Sequence, residues 1–184
     1  MKEVEAELEG PRVLLRKLRA SDASDIYLNI NNRDIARWTI ALPHPYPKDE
    51  AAKHIRKMQR LWRTGKTFAF GIVLKETARL IGAVNLARVD QKHKCAEMNF
   101  WIGKKYWRQG LATQAARLAL NFGFKKLKLH RIYAAVFEPN VASRGVLKKC
   151  GFTHEGTMRQ AVVKHNKRHN FLNYGILKSE FNDA

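Results

Sequence analysis

Three apolar-rich runs in the middle of the chain, Thr67–Leu74, Leu80–Val89 and Lys94–Ile102, are separated by the short polar stretches Lys75–Arg79 and Asp90–His93. Short apolar segments punctuated by polar turns about every ten residues predict an antiparallel meander. Upstream, Arg12–Leu18 alternates loosely enough to form a first strand. Ser21-Asp22 supplies an N-cap for a short amphipathic helix carrying Ile26 and Ile30, and a helical turn or two is expected over Asp34–Trp38. Pro43, Pro45 and Pro47 exclude regular structure, since each removes a donor and restrains its predecessor. A helix then runs from about Lys48 to Arg63, acidic at its start (Asp49, Glu50) and basic later, with Ile55, Met58, Leu61 and Trp62 as its apolar stripe.

Past Ile102 the period changes. Small and straight-chain residues from Leu111 onward predict a helix, followed through Lys125–Lys128 by an apolar strand, Arg131–Phe137. A strand–helix–strand crossover implies that Lys94–Ile102 and Arg131–Phe137 pair in parallel. Asn140 opens a short helix to Lys149, and strands near Thr153–Val163 and Asn170–Lys178 flank a polar turn at His165–Lys167. The acidic residues 1–10 are expected to fray. These elements give an α/β fold of the α+β type: one mixed, mostly antiparallel central sheet with flanking helices. Residues 1–184 form one domain with its core at about 12–178.

Composition narrows the class without naming it. With 184 residues, 45% of them hydrophobic and 28% charged, the chain can bury a sizeable core. No apolar run reaches the roughly 20 residues of a membrane span, and the N-terminal residues lack a signal-peptide core, so a cytoplasmic protein is expected. Cys95 and Cys150 form no CxxC pair, and the histidines show no metal-ligand spacing; His165 and His169 are four apart across an expected turn. No metal is expected. The formal charge of +19 does change the picture. It fits a nucleic-acid-rich partner such as the ribosome, a strongly acidic substrate, or a generally basic solvated surface, and it disfavours a polycationic substrate.

The stretch Phe100–Asn121 carries the chemistry. It reads as a strand end, a tight loop around Gly110, and a helix whose first N–H groups have no intrahelical partner. Those donors and the positive end of the helix dipole suit a phosphate, with Lys104, Lys105 and Arg108 just upstream. It is neither a GxGxxG fingerprint nor a Walker loop. The segment Trp107-Arg108-Gln109-Gly110-Leu111-Ala112-Thr113 resembles the acetyl-CoA pyrophosphate loop of the GNAT N-acetyltransferase superfamily, [Q/R]xxGx[G/A], with Trp107 in the Q/R place. Its Trp and Ala112-Thr113 resemble the Rim-type branch, which includes ribosomal-protein N-terminal acetyltransferases. His130-Arg131-Ile132, Glu138-Pro139-Asn140-Val141-Ala142-Ser143 and Leu147-Lys148-Lys149-Cys150-Gly151-Phe152 follow at family-like spacing.

The resemblance implies a GNAT fold, acetyl-CoA as co-substrate and transfer of its acetyl group to an amine. It implies pyrophosphate binding by the backbone of Arg108, Gln109, Gly110, Leu111, Ala112 and Thr113. The pantetheine would pair with backbone groups of Phe100, Trp101 and Ile102, and Asn140 would contact the cofactor arm while also serving as a helix cap. Alternation places Cys95, Glu97, Asn99 and Trp101 on one strand face, where Glu97 is a candidate base, or alternatively a carboxylate paired with a neighbouring cation. Many members present a Tyr where Leu147 stands here; Rim-type members present a serine, matched by Ser143, a candidate hydrogen-bond donor to the leaving sulfur or a local cap. Asn170 stands where relatives carry Asp. The loop and helix around Trp38, His44, Tyr46 and Trp62 are expected to flank the acceptor cleft, with Trp62 read as core. The acceptor is a protein N-terminal amine of the ribosomal-protein type or a small amine. A non-catalytic RNA- or ribosome-binding module is a third reading, and the chain is expected as a monomer or homodimer.

Overall fold

The computed structural model describes residues 7–182; the expected fraying of residues 1–6 falls outside the described residues. Eight strands form a single sheet in the order β1-β2-β3-β4-β5-β6-β8-β7. They are β1 (Leu8–Glu9), β2 (Val13–Lys17), β3 (Phe68–Leu74), β4 (Arg79–Asp90), β5 (Cys95–Ile102), β6 (Arg131–Phe137), β7 (Thr153–Lys164) and β8 (Lys167–Leu177). Only β5 and β6 pair in parallel, as the crossover rule requires. The helices are α1 (Ala23–Ile30), α2 (Arg33–Ala36), α3 (Glu50–Arg63), α4 (Leu111–Asn121) and α5 (Val141–Lys149). No helix among the described residues is long and apolar enough to cross a membrane.

The two faces of the sheet bury different helices. Leu111, Ala115, Ala116, Ala119 and Leu120 of α4 pack with Phe70, Ile72, Val84, Leu86 and Met98, and the alanines let the helix lie close on the strands. Ile26, Ile30, Ile55 and Met58 of α1 and α3 pack with Ala69 and Leu80 from the other faces of β3 and β4. Trp62 belongs to the core as expected, meeting Phe68 and Phe70 edge-on with ring centroids 5.1 and 4.9 Å apart.

Three boundaries differ from expectation. Leu8 and Glu9 are not frayed but extend the sheet by pairing with Leu15 and Leu14. The hairpin tip shrinks to His165 and Asn166, both at positive φ (52° and 58°), so β8 starts at Lys167 rather than near Asn170. That two-residue geometry matches the strand twist. Helix α4 widens into a π turn over Phe122–Lys126, which buries Phe122 and Phe124. There a side chain on Gly123 would come within 2.7 Å of Ile132 Cδ1.

At the start of α1, Arg16 donates from Nη1 and Nη2 to the Asp22 carboxylate, both at 2.8 Å, and the Arg19 N–H donates to it at 2.7 Å. Burial works against the charge on Asp22, but the Arg16 and Arg19 hydrogen bonds outweigh it and hold the carboxyl below its usual range. A depressed carboxyl stabilises the fold above the unfolded-state pKa, and that stability is lost as pH falls through the folded value. Asp22→Ala should cost about 3 kcal/mol in urea unfolding at neutral pH, because Arg16 stays buried without its counter-ion. The wild type should lose stability more steeply than the variant on acidification below about pH 4.

Candidate active site

The site begins with a pairing that stops. β5 stays in register with β4 from Ala87↔Glu97 to Gly82↔Ile102. With β6 it pairs only at Cys95↔Arg131, Ala96↔Ile132 and Glu97↔Tyr133, although β6 remains paired to β8 along its whole length. Beyond Glu97 the parallel strands diverge, leaving the β6-facing backbone groups of Met98–Ile102 without a sheet partner. Gly82 allows β4 to follow closely: a side chain there would lie 2.3 Å from the Trp101 carbonyl oxygen.

At the end of β5 the chain turns sharply. The Gly103 N–H donates to Ile81 O at 2.8 Å, and Trp107 Nε1 donates to Ile102 O at 2.8 Å, fixing the indole under the corner. Arg108 and Gly110 take positive φ (61° and 77°), and Gly110 leads directly into α4. The first intrahelical bond across this junction, from the Gln114 N–H to Gly110 O, is 3.1 Å long. The N–H groups of Leu111, Ala112 and Thr113 precede it and have no intrahelical acceptor. Together with the left-handed backbone they form a concave, electropositive anion cradle.

Cradle and opened strand border one cavity of about 450 Å³. Its walls include Phe100, Trp101, Ile102, Arg108, Gln109, Gly110, Leu111, Ala112, Thr113 and Asn140, together with Ser143. Trp38 and Thr39 close it on the α2 side. Sequence reasoning passed over Gly145, in the middle of α5, where a side chain would meet nothing within 4 Å. A helix-interior glycine costs roughly 1 kcal/mol relative to alanine, and here it keeps the wall open. The local charge also differs from expectation: Lys104 Nζ is bound to Asp34 at 2.6 Å and Lys105 sits over the Tyr106 ring, while Lys149 joins Arg108 at the cavity wall.

Asn140 caps α5: its side chain accepts from the Ser143 N–H at 3.2 Å. The Asn140 amide also donates from Nδ2 to Ser143 Oγ at 3.0 Å. With its oxygen accepting that bond, the Ser143 hydroxyl has its proton free to donate elsewhere. Cys150, under the first turn of α4 with Sγ 3.8 Å from Thr113 O, is pushed up to about 11 by burial and is inert at neutral pH.

Glu97 does not line this cavity. It stands at the vertex where the strands part, with Oε2 3.1 Å from Arg88 Nη1 at the β4 bulge. Of the expected acceptor-cleft residues, Trp38 lines the cavity and stacks at a tilt on Phe137, 6.1 Å away. Tyr46 is instead buried between α1 and α3, and the exposed His44 is not among the lining residues. Asn170 has a partner: Nδ2 donates to Glu138 Oε2 at 2.9 Å while Oδ1 accepts from the Gln160 N–H at 2.8 Å. An aspartate there would face Glu138 with like charge. The hairpin tip is tied down as well, since Lys164 Nζ donates to the carbonyls of Thr39, Ile40 and Leu42 at 2.8, 3.2 and 3.3 Å. Among the described residues no His, Cys, Asp and Glu side chains cluster as metal ligands.

Comparison with known families decides the class. The family described as an acetyltransferase (GNAT) domain matches residues 12–153. The chain belongs to the GNAT acetyltransferases. YoaA of Bacillus subtilis (strain 168), described as an uncharacterized N-acetyltransferase, is 31% identical over 93% of this chain and 96% of its own length. The spermidine N(1)-acetyltransferase of Escherichia coli (strain K12) is 26% identical over 92% of this chain and 88% of its own. Among solved structures, Mycobacterium smegmatis RimJ in complex with a CoA-disulfide superposes with a TM-score of 0.86 at 23% identity, covering 96% of this chain and 88% of that one. The likeness to RimJ establishes the shared fold.

The twofold use of Asn140 in this acetyltransferase is testable by stability. Asn140→Ala should cost about 1 kcal/mol through the lost cap. Asn140→Asp, which keeps the acceptor, should retain nearly wild-type stability in the same denaturant titration.

Proposed function

We propose that this acetyltransferase transfers the acetyl group of acetyl-CoA to a primary amine, and that the acceptor is a protein N-terminal α-amine of the ribosomal-protein type. The observation that carries the first part is the junction of the opened β5 edge and the unclaimed amides of Leu111–Thr113 in one cavity. The donor set fits the cofactor. A pyrophosphate needs N–H donors and positive charge, which the cradle and Arg108 offer; a pantetheine arm carries amides that need the β6-facing donors and acceptors left without a sheet partner between Met98 and Trp101.

When bound, acetyl-CoA supplies a thioester whose acyl carbon an amine can attack. The chain's residues would handle position and protons. Glu97, at the vertex of the opening but outside the cavity lining and paired with Arg88, would take a proton from the acceptor ammonium through a water. The Ser143 hydroxyl, its oxygen held by Asn140 Nδ2, would donate a hydrogen bond to the departing sulfur.

The choice of a protein amine over a polyamine rests on charge and shape. The carboxylates on the elements bordering the cavity are already engaged: Asp34 with Lys104, Glu97 with Arg88 and Glu138 with Asn170. A polycation would find few free counter-charges, whereas Trp38, backed by the buried Phe137, offers an apolar wall to the side chain of an N-terminal residue.

Calorimetric titration with acetyl-CoA, followed by CoA release over N-terminal peptides, spermidine and small amines, tests both parts. Micromolar binding with peptide-stimulated turnover is expected. Turnover on spermidine alone would replace the acceptor assignment, and no binding would remove the cofactor assignment. Ala112→Glu should weaken acetyl-CoA binding at least 100-fold, because it sets a carboxylate among the cradle amides. Ser143→Ala and Glu97→Gln should leave that binding unchanged and lower kcat, each by about 10- to 1,000-fold. An unchanged kcat in Glu97→Gln would return Glu97 to a structural ion pair with Arg88.

A further inference from the structure

The basic residues are not evenly compensated. Some cations meet carboxylates: Lys53 with Asp49, Lys75 with Glu9, Arg12 with Glu76 and Lys104 with Asp34. At the end of the sheet remote from the cavity, cations without such a partner gather in one row. There β3, β5 and β6 begin while β4 and β8 finish, and the flanking turns bond to one another. The Val89 N–H donates to Lys66 O, the His130 N–H to Lys94 O and the Lys178 N–H to His130 O, at 3.1, 2.7 and 2.8 Å.

These turns carry Lys66, Lys92, Lys94, Lys126, Lys128 and Lys178, all exposed. Among the described residues none of these six forms an ion pair with a carboxylate; Lys94 Nζ reaches only the neutral Gln91, at 3.4 Å. The carboxylates at this end are otherwise engaged. Asp90 accepts from the His93 N–H, Glu180 from the Leu177 N–H, and Glu155 pairs with Arg131. From β3 to β8 the strand order spans four inter-strand steps, a row roughly 19 Å long. The eight residues of β5 set this row about 26 Å from the anion cradle.

We propose that this lysine-lined end of the sheet binds the phosphate backbone of a nucleic acid. A row of separated lysines with no aromatic anchor is unlike a protein interface, which is poor in lysine and centred on buried aromatic groups. A membrane surface site also needs an apolar face, and the large exposed apolar side chains, Leu28, Ile40, Val141, Met158 and Val163, lie on other elements. Phosphate-backbone binding needs only charges in line.

The test is fluorescence anisotropy with a labelled single-stranded RNA of roughly 20 nucleotides, and with DNA of the same sequence, between 50 and 200 mM salt. Six phosphate contacts predict a log–log salt slope of about −4 on a single strand, an affinity loss of roughly 300-fold over that range. The triple variant K92Q/K126Q/K128Q should reduce the slope by about two, while K48Q/R56Q/K57Q towards the start of α3, with the same loss of charge, should leave it unchanged. Equal binding of RNA and DNA supports backbone recognition, and stronger binding of RNA narrows it to that polymer. Absence of salt-dependent binding overturns the proposal, as do an equal effect of both triple variants or tighter binding of polyglutamate or phosphatidylserine vesicles. Acetyl-CoA titration of each variant, expected to match wild type, shows that any loss is not misfolding.

Discussion

The structure depends on one interruption: parallel pairing between β5 and β6 that ends at Glu97↔Tyr133 while both strands keep their other neighbours. A sheet normally spends its backbone donors and acceptors on itself. Here the middle of a sheet, not its rim, retains a length of unspent edge. That edge cannot recruit another chain as an outer strand would, because β6, α5 and the α4 loop wall it in. It therefore selects for a narrow, extended molecule with amide-like groups.

The surrounding parts keep that opening at a fixed width. On one side Gly82 brings β4 close against β5, and Trp107 ties the strand end to the following turn through Ile102 O. On the other, the chain leaves β6 after Phe137 and Asn140 starts α5 by capping it. The anion cradle sits at the wide end because α4 starts where β5 stops. Position and charge thus have a common origin in one strand–turn–helix junction.

The fold and the cradle were legible because their signals are local. Period, proline placement, the Gly110 turn and the Asn140 cap each act within a few residues. Tyr46 was misread as a cleft residue because its burial is decided by α1 and α3, which meet only in three dimensions. The Arg88–Glu97 pair depended on a β4 bulge that places Arg88 at positive φ, a conformation no composition rule marks for arginine. Lys164, beside the hairpin tip, reaches back across the chain to Thr39 O. Asn170 looked like an unexplained departure until Glu138 appeared beside it as the acceptor of its amide. Long-range partners of this kind leave no periodic trace.

Distance then separates the two charge questions posed by a chain of formal charge +19. At physiological ionic strength the field of exposed lysines decays over about 8 Å. A lysine row about one strand length away therefore cannot draw an anionic cofactor into the cavity. On the proposed function, cofactor attraction would come from the cradle itself, from Arg108, Lys149 and the free amides of α4. The acceptor side is kept close to neutral by pairs such as Asp34 with Lys104. On the proposed lysine-row site, the positive charge at the far end of the sheet would act on something other than the cofactor.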